Sequence, residues 1–422
     1  MLKPCGLQIR DTADCKSALQ KQRGRGVLTC RFEKQIARRR SACAYSAITV
    51  NVLIAPDKYK GTLTARAAAE AMARGWRQVR PTDHLTLFPI SDGGDGFGEL
   101  VGASLGAGIE TVATVNAAHL PCTASWWWDP KSRTAIIEAA RVNGLAQLPA
   151  GKHHPFELDT SGLGAVIAAA HAAGARQCLV GIGGSATNDG GFGIARALGW
   201  TFFDEHGATI ERWTELHSLS RCQPPKTAGW PKEILVAVDV QNPLLGPTGC
   251  ARVYGPQKGL REEDFDLAER CLGRLADVME SQSGCRVANE PGAGAAGGLG
   301  FGLCSFLGAR LAPGFGLFAE HTGLKARLAE ADLVLTGEGS IDKSTLMGKG
   351  VGELATLCRE AKIPCLGLAG VVNDRAAVAQ LFTRTYAMSP DLTDRATAMA
   401  NNAEWLARVA SRAATAWEDQ RS

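Results

Sequence analysis

Four short stretches of this chain place glycine beside carboxylates, hydroxyls and lysines directly after an apolar run. They are APDKYKG, with Asp57, Lys58 and Lys60; SDGGDG, with Asp92 and Asp95; GIGGSATNDGG, with Gly183, Gly184, Ser185, Thr187, Asn188 and Asp189; and TGEGSIDKSTLMGKG, with Glu338, Asp342, Lys343, Thr345 and Lys349. Glycine lets backbone approach an anion closely, and the free N–H groups at the start of a following helix can cradle phosphate. Lysines and carboxylates around such loops fit phosphoryl transfer. That reaction needs cations on the transferring group, Mg²⁺ to bridge phosphates and a carboxylate to take a hydroxyl proton. Any one loop alone also reads as a plain turn or helix cap. Four of them at four strand ends point to one polar ligand site, because strand carboxyl ends converge on the ligand crevice of open α/β sheets.

The better-known motifs are missing. There is no GxxxxGK[ST], no HRD/DFG pair and no GxSxG elbow. Neither GIGGSA nor GAGAAGG makes a good GxGxxG with an acidic residue about twenty positions on, so a dinucleotide fold is weakly supported.

Strands alternate with helices along the chain. ITVNVLIAP from Ile48 reads as a buried strand turned at Pro56-Asp57, and a helix follows from Thr64, a suitable N-cap, to Arg77. Strands are expected at Leu85–Pro89, Cys178–Ile182, Ile234–Asp239, Leu333–Thr336 and Cys365–Ala369. Helices are expected near 162–173, 191–198, 262–280, 292–311, 319–331 and 351–361. The three tryptophans of Ala124–Ile137 sit in an expected hairpin turning at Asp129-Pro130 and read as packing residues. This alternation specifies α/β layers with a mostly parallel sheet. The Trp-rich middle suggests a second domain, 116–284, inserted between the halves 47–115 and 285–422 of the first.

Residues 1–46 carry eleven Lys/Arg against three Asp/Glu, which leaves the remainder at a net −4. The body therefore has no basic bias that would call for a nucleic-acid partner. The first 46 residues lack an apolar core and read as a disordered basic tail or a start assigned too far upstream. Thirteen cysteines without a CxxC pair read as reduced thiols in a cytoplasmic protein. No uninterrupted run of 18 apolar residues occurs, so no membrane span is expected.

In order, the motifs resemble the type I glycerate kinases. APDKYKGTLTA matches that family's APDSFKGSLSA, SDGGDG its ADGGEGT, IEAARVNGL its IEMAxASGL, and TSGLGAVI its TSxGxGELI. GIGGSATNDGGFGIARALG is nearly identical, and DVQNPLLGPTGCARVYGPQKG, GAGAAGGLGFGL and ADLVLTGEGSIDKSTLMGKG complete the series. The match runs from about Val50 to the C-terminus. It departs mildly: Lys58-Tyr59 replaces Ser-Phe, Ser91 replaces Ala, and Asp95 replaces a longer Glu. The resemblance implies ATP- and Mg²⁺-dependent phosphorylation of D-glycerate by a Rossmann-like α/β domain and a second α/β domain around a cleft. It leaves open whether 2- or 3-phosphoglycerate is made. Assembly, a homodimer among the options, is also open.

On that basis Asp189 is the expected general base, with a helix N-cap as its structural alternative. Lys60 is expected to pair with the substrate carboxylate or the γ-phosphate. Asp239 and Asp92 are the expected Mg²⁺ ligands. Lys258, in GPQKG, is an expected phosphate clamp, and Glu338 and Asp342 are expected to hold nucleotide or metal. Asp57, Lys58, Gly183, Gly184, Ser185, Thr187 and Asn188 complete the phosphate and substrate contacts. Arg66 and Glu138 read as salt-bridge or capping residues, and His153, His154 and His171 as ordinary surface or helix residues. A kinase of another small hydroxy acid and a silent nucleotide-binding protein are the rival readings.

Overall fold

The computed structural model describes residues 49–149, 152–347 and 350–419. The segment 1–46 and Lys349 lie outside the described residues, so the expectations placed on them are not addressed by the structure.

The chain opens with β1 (Asn51–Ile54), α1 (Ala65–Val79), β2 (His84–Leu87) and α2 (Phe97–Leu105). It then adds β3 (Gly108–Val115), β4 (Pro121–Asp129), β5 (Thr134–Glu138), α3 (Ser161–Ala172), β6 (Gln177–Gly181) and α4 (Phe192–Ala197). Next come β7 (Glu233–Val238), α5 (Cys250–Lys258), α6 (Phe265–Ser283), α7 (Ala295–Leu307), β8 (Arg310–Pro313) and α8 (Gly314–Thr322). The last elements are β9 (Leu333–Thr336), β10 (Ser340–Ile341), α9 (Gly350–Glu360), β11 (Cys365–Val372), β12 (Arg384–Ser389), α10 (Arg395–Ala400) and α11 (Asn402–Asp419).

Local chemistry sets several of these boundaries. Thr64 caps α1 by accepting from the Ala67 N–H at 3.1 Å. Asp129 closes the β4–β5 hairpin, accepting from the Lys131 N–H at 3.0 Å and the Ser132 hydroxyl at 2.6 Å. Trp126 and Trp127 are buried, as packing residues should be. The single helix expected over 319–331 is two, because Gly323 turns left-handed (φ 70°) between α8 and Leu324–Glu330.

The first sheet is wholly parallel. Strand β11 pairs with β12 on one side, and on the other with β9 and then β10. Strands β9 and β10 are thus one strand broken at Gly337–Gly339. Since β9 also pairs with β1, and β1 with β2, the order is β2-β1-β9/β10-β11-β12. That is the doubly wound 2-1-3-4-5 order, whose switch point lies between β1 and β9. The second sheet runs β8-β7-β6-β5-β4-β3, with β5 to β8 parallel and β3 and β4 antiparallel. Strand β3 and the α7–β8 segment belong to this second sheet. The division between the sheets therefore falls near 107 and 314, outside the boundaries at 116 and 285 expected from sequence.

Three apolar clusters tie these layers together. Helices α1 and α11 pack on one face of the first sheet through Met72, Trp76, Leu406 and Val409. Helices α3, α6 and α7 cover the outer face of the second sheet. Between the sheets, α2, α8 and α9 contribute Phe97, Phe315, Phe318 and Leu354 to one cluster. It also holds Leu53 and Val334 of the first sheet and Ile136 and Leu179 of the second. The result is a stack of helix, sheet, shared helix layer, sheet and helix. Among the described residues no helix is long and apolar enough to cross a membrane.

Candidate active site

The carboxyl ends of both sheets open onto one cleft of about 1230 Å³. It is lined by Asp57, Lys58 and Lys60 after β1, Asp92 and Asp95 after β2, and Gly183, Gly184 and Ser185 after β6. Asp239 follows β7, Lys258 ends α5, and Glu338 and Asp342 flank β10. All four loops singled out from the sequence meet there.

Lys58 occupies the centre of this acidic group. Its ammonium lies 3.7 Å from Asp95, and Asp92, Asp57 and Asp239 add to the field that raises its pKa against the opposing effect of burial. A Cβ on Gly94 would sit 2.6 Å from the Lys58 Nζ, so this glycine makes room for the ammonium. Burial and the neighbouring Asp92 push Asp57 up to about 8, with Glu338 adding to the rise. Burial, Asp92 and a shared hydrogen bond with Asp92 bring Asp239 to about 6. Lys60, by contrast, is exposed at the rim. The cation that the aspartates surround is Lys58, while Lys60, expected to pair with the substrate carboxylate or the γ-phosphate, stands at the rim.

The strand break explains Glu338. A Cβ on Gly337 would lie 1.7 Å from the Leu368 carbonyl oxygen, so only glycine fits where β9 leaves the ladder. Glu338 is thereby placed on the cleft wall, where the Thr345 hydroxyl donates to it at 2.9 Å. Asp342 instead organises its own turn, accepting from the Ser344 N–H at 2.8 Å and the Ser340 hydroxyl at 3.0 Å.

The glycine loop divides its labour. Gly183, Gly184 and Ser185 face the cleft, whereas Thr187, Asn188 and Asp189 are fully buried behind it. The Asp189 carboxylate accepts from the Thr160 N–H (3.0 Å) and hydroxyl (2.8 Å), from the Gly193 N–H (2.9 Å) and from the Gly191 N–H (3.4 Å). Burial, then Asp159, raise its pKa to about 6. A base must reach the proton it removes. Asp189 does not line the cleft, and its carboxylate ties the glycine loop to Thr160 and to the first turn of α4.

Behind the loop, Ala296, Gly297 and Gly298 form a left-handed run inside α7. A Cβ on Gly297 would come 2.0 Å from the Thr187 carbonyl oxygen, so this glycine fixes how closely the two segments pack. Lys258 is buried with them and donates to that same carbonyl at 2.6 Å. Burial lowers its pKa to about 8. The folded protein thus releases this proton near pH 8 and the unfolded chain near 10.5. Wild type should therefore gain stability over Lys258→Met as pH rises from 8 to 10.5, by up to about 3 kcal/mol. Urea unfolding of both proteins across that range measures it.

The model of the glycerate kinase family matches residues 52–418. The chain belongs to the glycerate kinase family. Glycerate kinase of Bacillus subtilis (strain 168) is 37% identical over 369 residues, covering 86% of this chain and 96% of that relative. Glycerate 2-kinase of Escherichia coli (strain K12) is 36% identical over 78% of this chain and 87% of its own. The crystal structure of a candidate glycerate kinase 2 from Salmonella typhimurium LT2 superposes with a TM-score of 0.72 at 31% identity. It covers 89% of this chain and 100% of that one.

Within this glycerate kinase family fold, Arg66 stands on the surface and Glu138 on the cleft wall. The buried Glu138 accepts from the Gly98 N–H at the start of α2, at 3.2 Å, and Arg66 pairs with Glu99 on the surface. His154 pairs with Asp264 at 3.1 Å and His153 with Glu157 at 4.0 Å, away from the cleft. Sequence reasoning missed Arg141, Tyr254, Gln257 and Asn402, which also line the cleft. Tyr254, Gln257 and Lys258 were findable, since positions 254, 257 and 258 share a helix face. Arg141 and Asn402 lie outside the four loops and carried no such signal.

Proposed function

We propose that this chain transfers the γ-phosphoryl group of ATP to D-glycerate, giving 2- or 3-phosphoglycerate and ADP, in the cytoplasm. The observation that carries this reading is the placement of Lys58. It stands at the β1/β9 switch point, amid four aspartates, in a cleft shared with the glycine loop. A cation so held neutralises charge on a transferring phosphoryl group without reorganising as the charge develops.

Asp92 and Asp239 suit Mg²⁺. Two carboxylates in hydrogen-bond contact on the cleft wall are a ready pair for a hard divalent cation, which takes its remaining ligands from phosphates and water. The ion would supply charge neutralisation between the phosphates. We assign the proton-accepting role to Asp57, because it lines the cleft beside Lys58 whereas Asp189 does not. Gly183, Gly184 and Ser185 offer a concave stretch of backbone for an anionic group, and Lys258 holds that stretch in place through Thr187. Lys60 at the rim meets the incoming anion first. The test is ³¹P and ¹³C NMR of the product formed from D-glycerate and Mg-ATP. A phosphorylated C2 or C3 carbon with stoichiometric ADP supports the reading, and ATP left intact in the presence of D-glycerate overturns it.

A further inference from the structure

We propose that Arg141 anchors the carboxylate of the acceptor, and that its guanidinium selects hydroxy acids over their neutral analogues in this cleft. The proposal rests on the phosphoryl-transfer reading only in requiring that a small hydroxy acid enters the cleft.

Arg141 is held on two sides and makes no hydrogen bond. Its guanidinium carbon lies 5.2 Å from the centre of the Trp127 ring, and its Nε lies 3.7 Å from the Glu138 carboxylate. Both supports are themselves fixed. Trp127 is buried against α2, where a Cβ on Gly98 or Gly102 would strike the indole. Glu138 is buried and accepts from the Gly98 N–H at 3.2 Å. The contact between Arg141 and Glu138 is an ion pair too long for a hydrogen bond. Among the described residues, the guanidinium therefore donates to no other group. The side chain is 37% exposed and lines the cleft, so a ligand there reaches it. A planar fork of donors, oriented and unused, is a receptor for a planar anion that accepts through two oxygens.

The segment that carries Arg141 is bonded to the glycine loop. The Leu145 N–H donates to the Gly184 carbonyl at 2.9 Å, and Gly144 bridges to Ser185. Gly184 in turn separates Ala140 from Asp95. A Cβ on this glycine would strike the Asp95 carboxylate and would sit 3.4 Å from the Ala140 Cβ. Asp95 is the partner of Lys58 at 3.7 Å. Arg141 thus follows a strand of the second sheet and Lys58 a strand of the first, with Asp95 and the glycine loop between them.

Charge decides which anion fits. The Arg141–Glu138 pair carries no net charge, so it holds a ligand through directed N–H donors and not through a strong field. That suits a single carboxylate and suits a polyphosphate poorly, whose charge is met at Lys58. Position 141 falls at the x of the IEMAxASGL pattern, so the guanidinium is a feature of this chain and not of the shared motif.

The experiment is calorimetric titration of the full chain, with Mg-ADP present, by D-glycerate and by its neutral amide, D-glyceramide. Wild type, Arg141→Met, Arg141→Lys and Lys60→Met are compared, alongside initial rates with ATP. Wild type is expected to bind the acid at least about tenfold more tightly than the amide. Arg141→Met should weaken D-glycerate by about 10- to 100-fold, change the amide by about twofold or less, and leave the KM for ATP within about twofold. Arg141→Lys keeps the charge without the fork and should recover part of the preference. Lys60→Met should cost D-glycerate less than Arg141→Met does. The preference is a ratio of two ligands on one protein, so partial unfolding of a variant does not imitate its loss. The proposal is overturned if wild type does not prefer the acid, if Arg141→Met keeps the wild-type ratio, or if Lys60→Met costs more. It is also overturned if Arg141→Met weakens ATP as much as D-glycerate, which would assign the guanidinium to a phosphate. Turnover by Arg141→Met with an unchanged KM for D-glycerate rejects the anchor and keeps the kinase reading. The expected ratios without phosphorylation sustain the anchor and reject the kinase reading.

Discussion

Lys58→Met should lower kcat by about a thousandfold, a loss of roughly 4 kcal/mol of transition-state stabilisation. The side chain is a cation placed among Asp57, Asp92, Asp95 and Asp239. Methionine keeps most of its bulk and removes the charge, so the phosphoryl group is left facing carboxylates alone. The same change at Lys60, exposed at the rim, should act mainly on KM and by about tenfold or less, as for an exposed charge that steers rather than clamps. Steady-state kinetics of the two variants side by side is the measurement. Equal losses in kcat would return Lys60 to the centre of the chemistry.

Asp189→Ala is expected to reduce the unfolding free energy by about 3–5 kcal/mol, read from urea denaturation. Four donors, from Thr160, Gly191 and Gly193, converge on this carboxylate in a site without solvent access. Alanine orphans all of them. Asp189→Asn keeps an oxygen for the main cluster of donors, and its turnover should stay within about tenfold of wild type, whereas Asp57→Asn should lose at least about a hundredfold. A collapse of turnover in folded Asp189→Asn would restore it as the base. A pH signature accompanies this. The folded protein holds the Asp189 proton up to about pH 6, while the unfolded chain releases it near 3.8. Wild type should lose stability relative to Asp189→Asn as pH rises through that window.

Most of the fold could be read from the sequence because strand ends and helix starts are marked by local chemistry. Thr64 capping α1, Asp129 turning the hairpin and the apolar runs at β1, β6, β7 and β9 needed no tertiary information. What was lost depended on pairing at a distance. Strand β3 is mostly exposed and alternates poorly, so only its register with β4 makes it a strand. Strand β8 is four residues long and is defined by β7. Both strands lie outside 116–284 and pair into the second sheet. In the site, the four loops were legible because glycine next to charge recurs at four strand ends. The direction each side chain takes was not. Lys58 and Lys60 are two residues apart, and a turn decides which one faces the aspartates. Asp189 and Ser185 share one loop, yet one is sealed behind it and the other faces the cleft. Arg141 drew no notice because what marks it is its place between Glu138 and Trp127, which exists only once neighbours surround it.

The shared helix layer has a consequence for how the halves move and unfold. Helices α2, α8 and α9 give their apolar sides to both sheets at once, so neither sheet owns a complete core on its inner face. A cut at the two sheet boundaries would strip either fragment of that cover and leave a broad greasy face exposed to water. The two halves are therefore expected to melt together, as a single transition in scanning calorimetry. The cleft can adjust by small sliding of packed helices, and not by the swing of two free-standing lobes about a hinge.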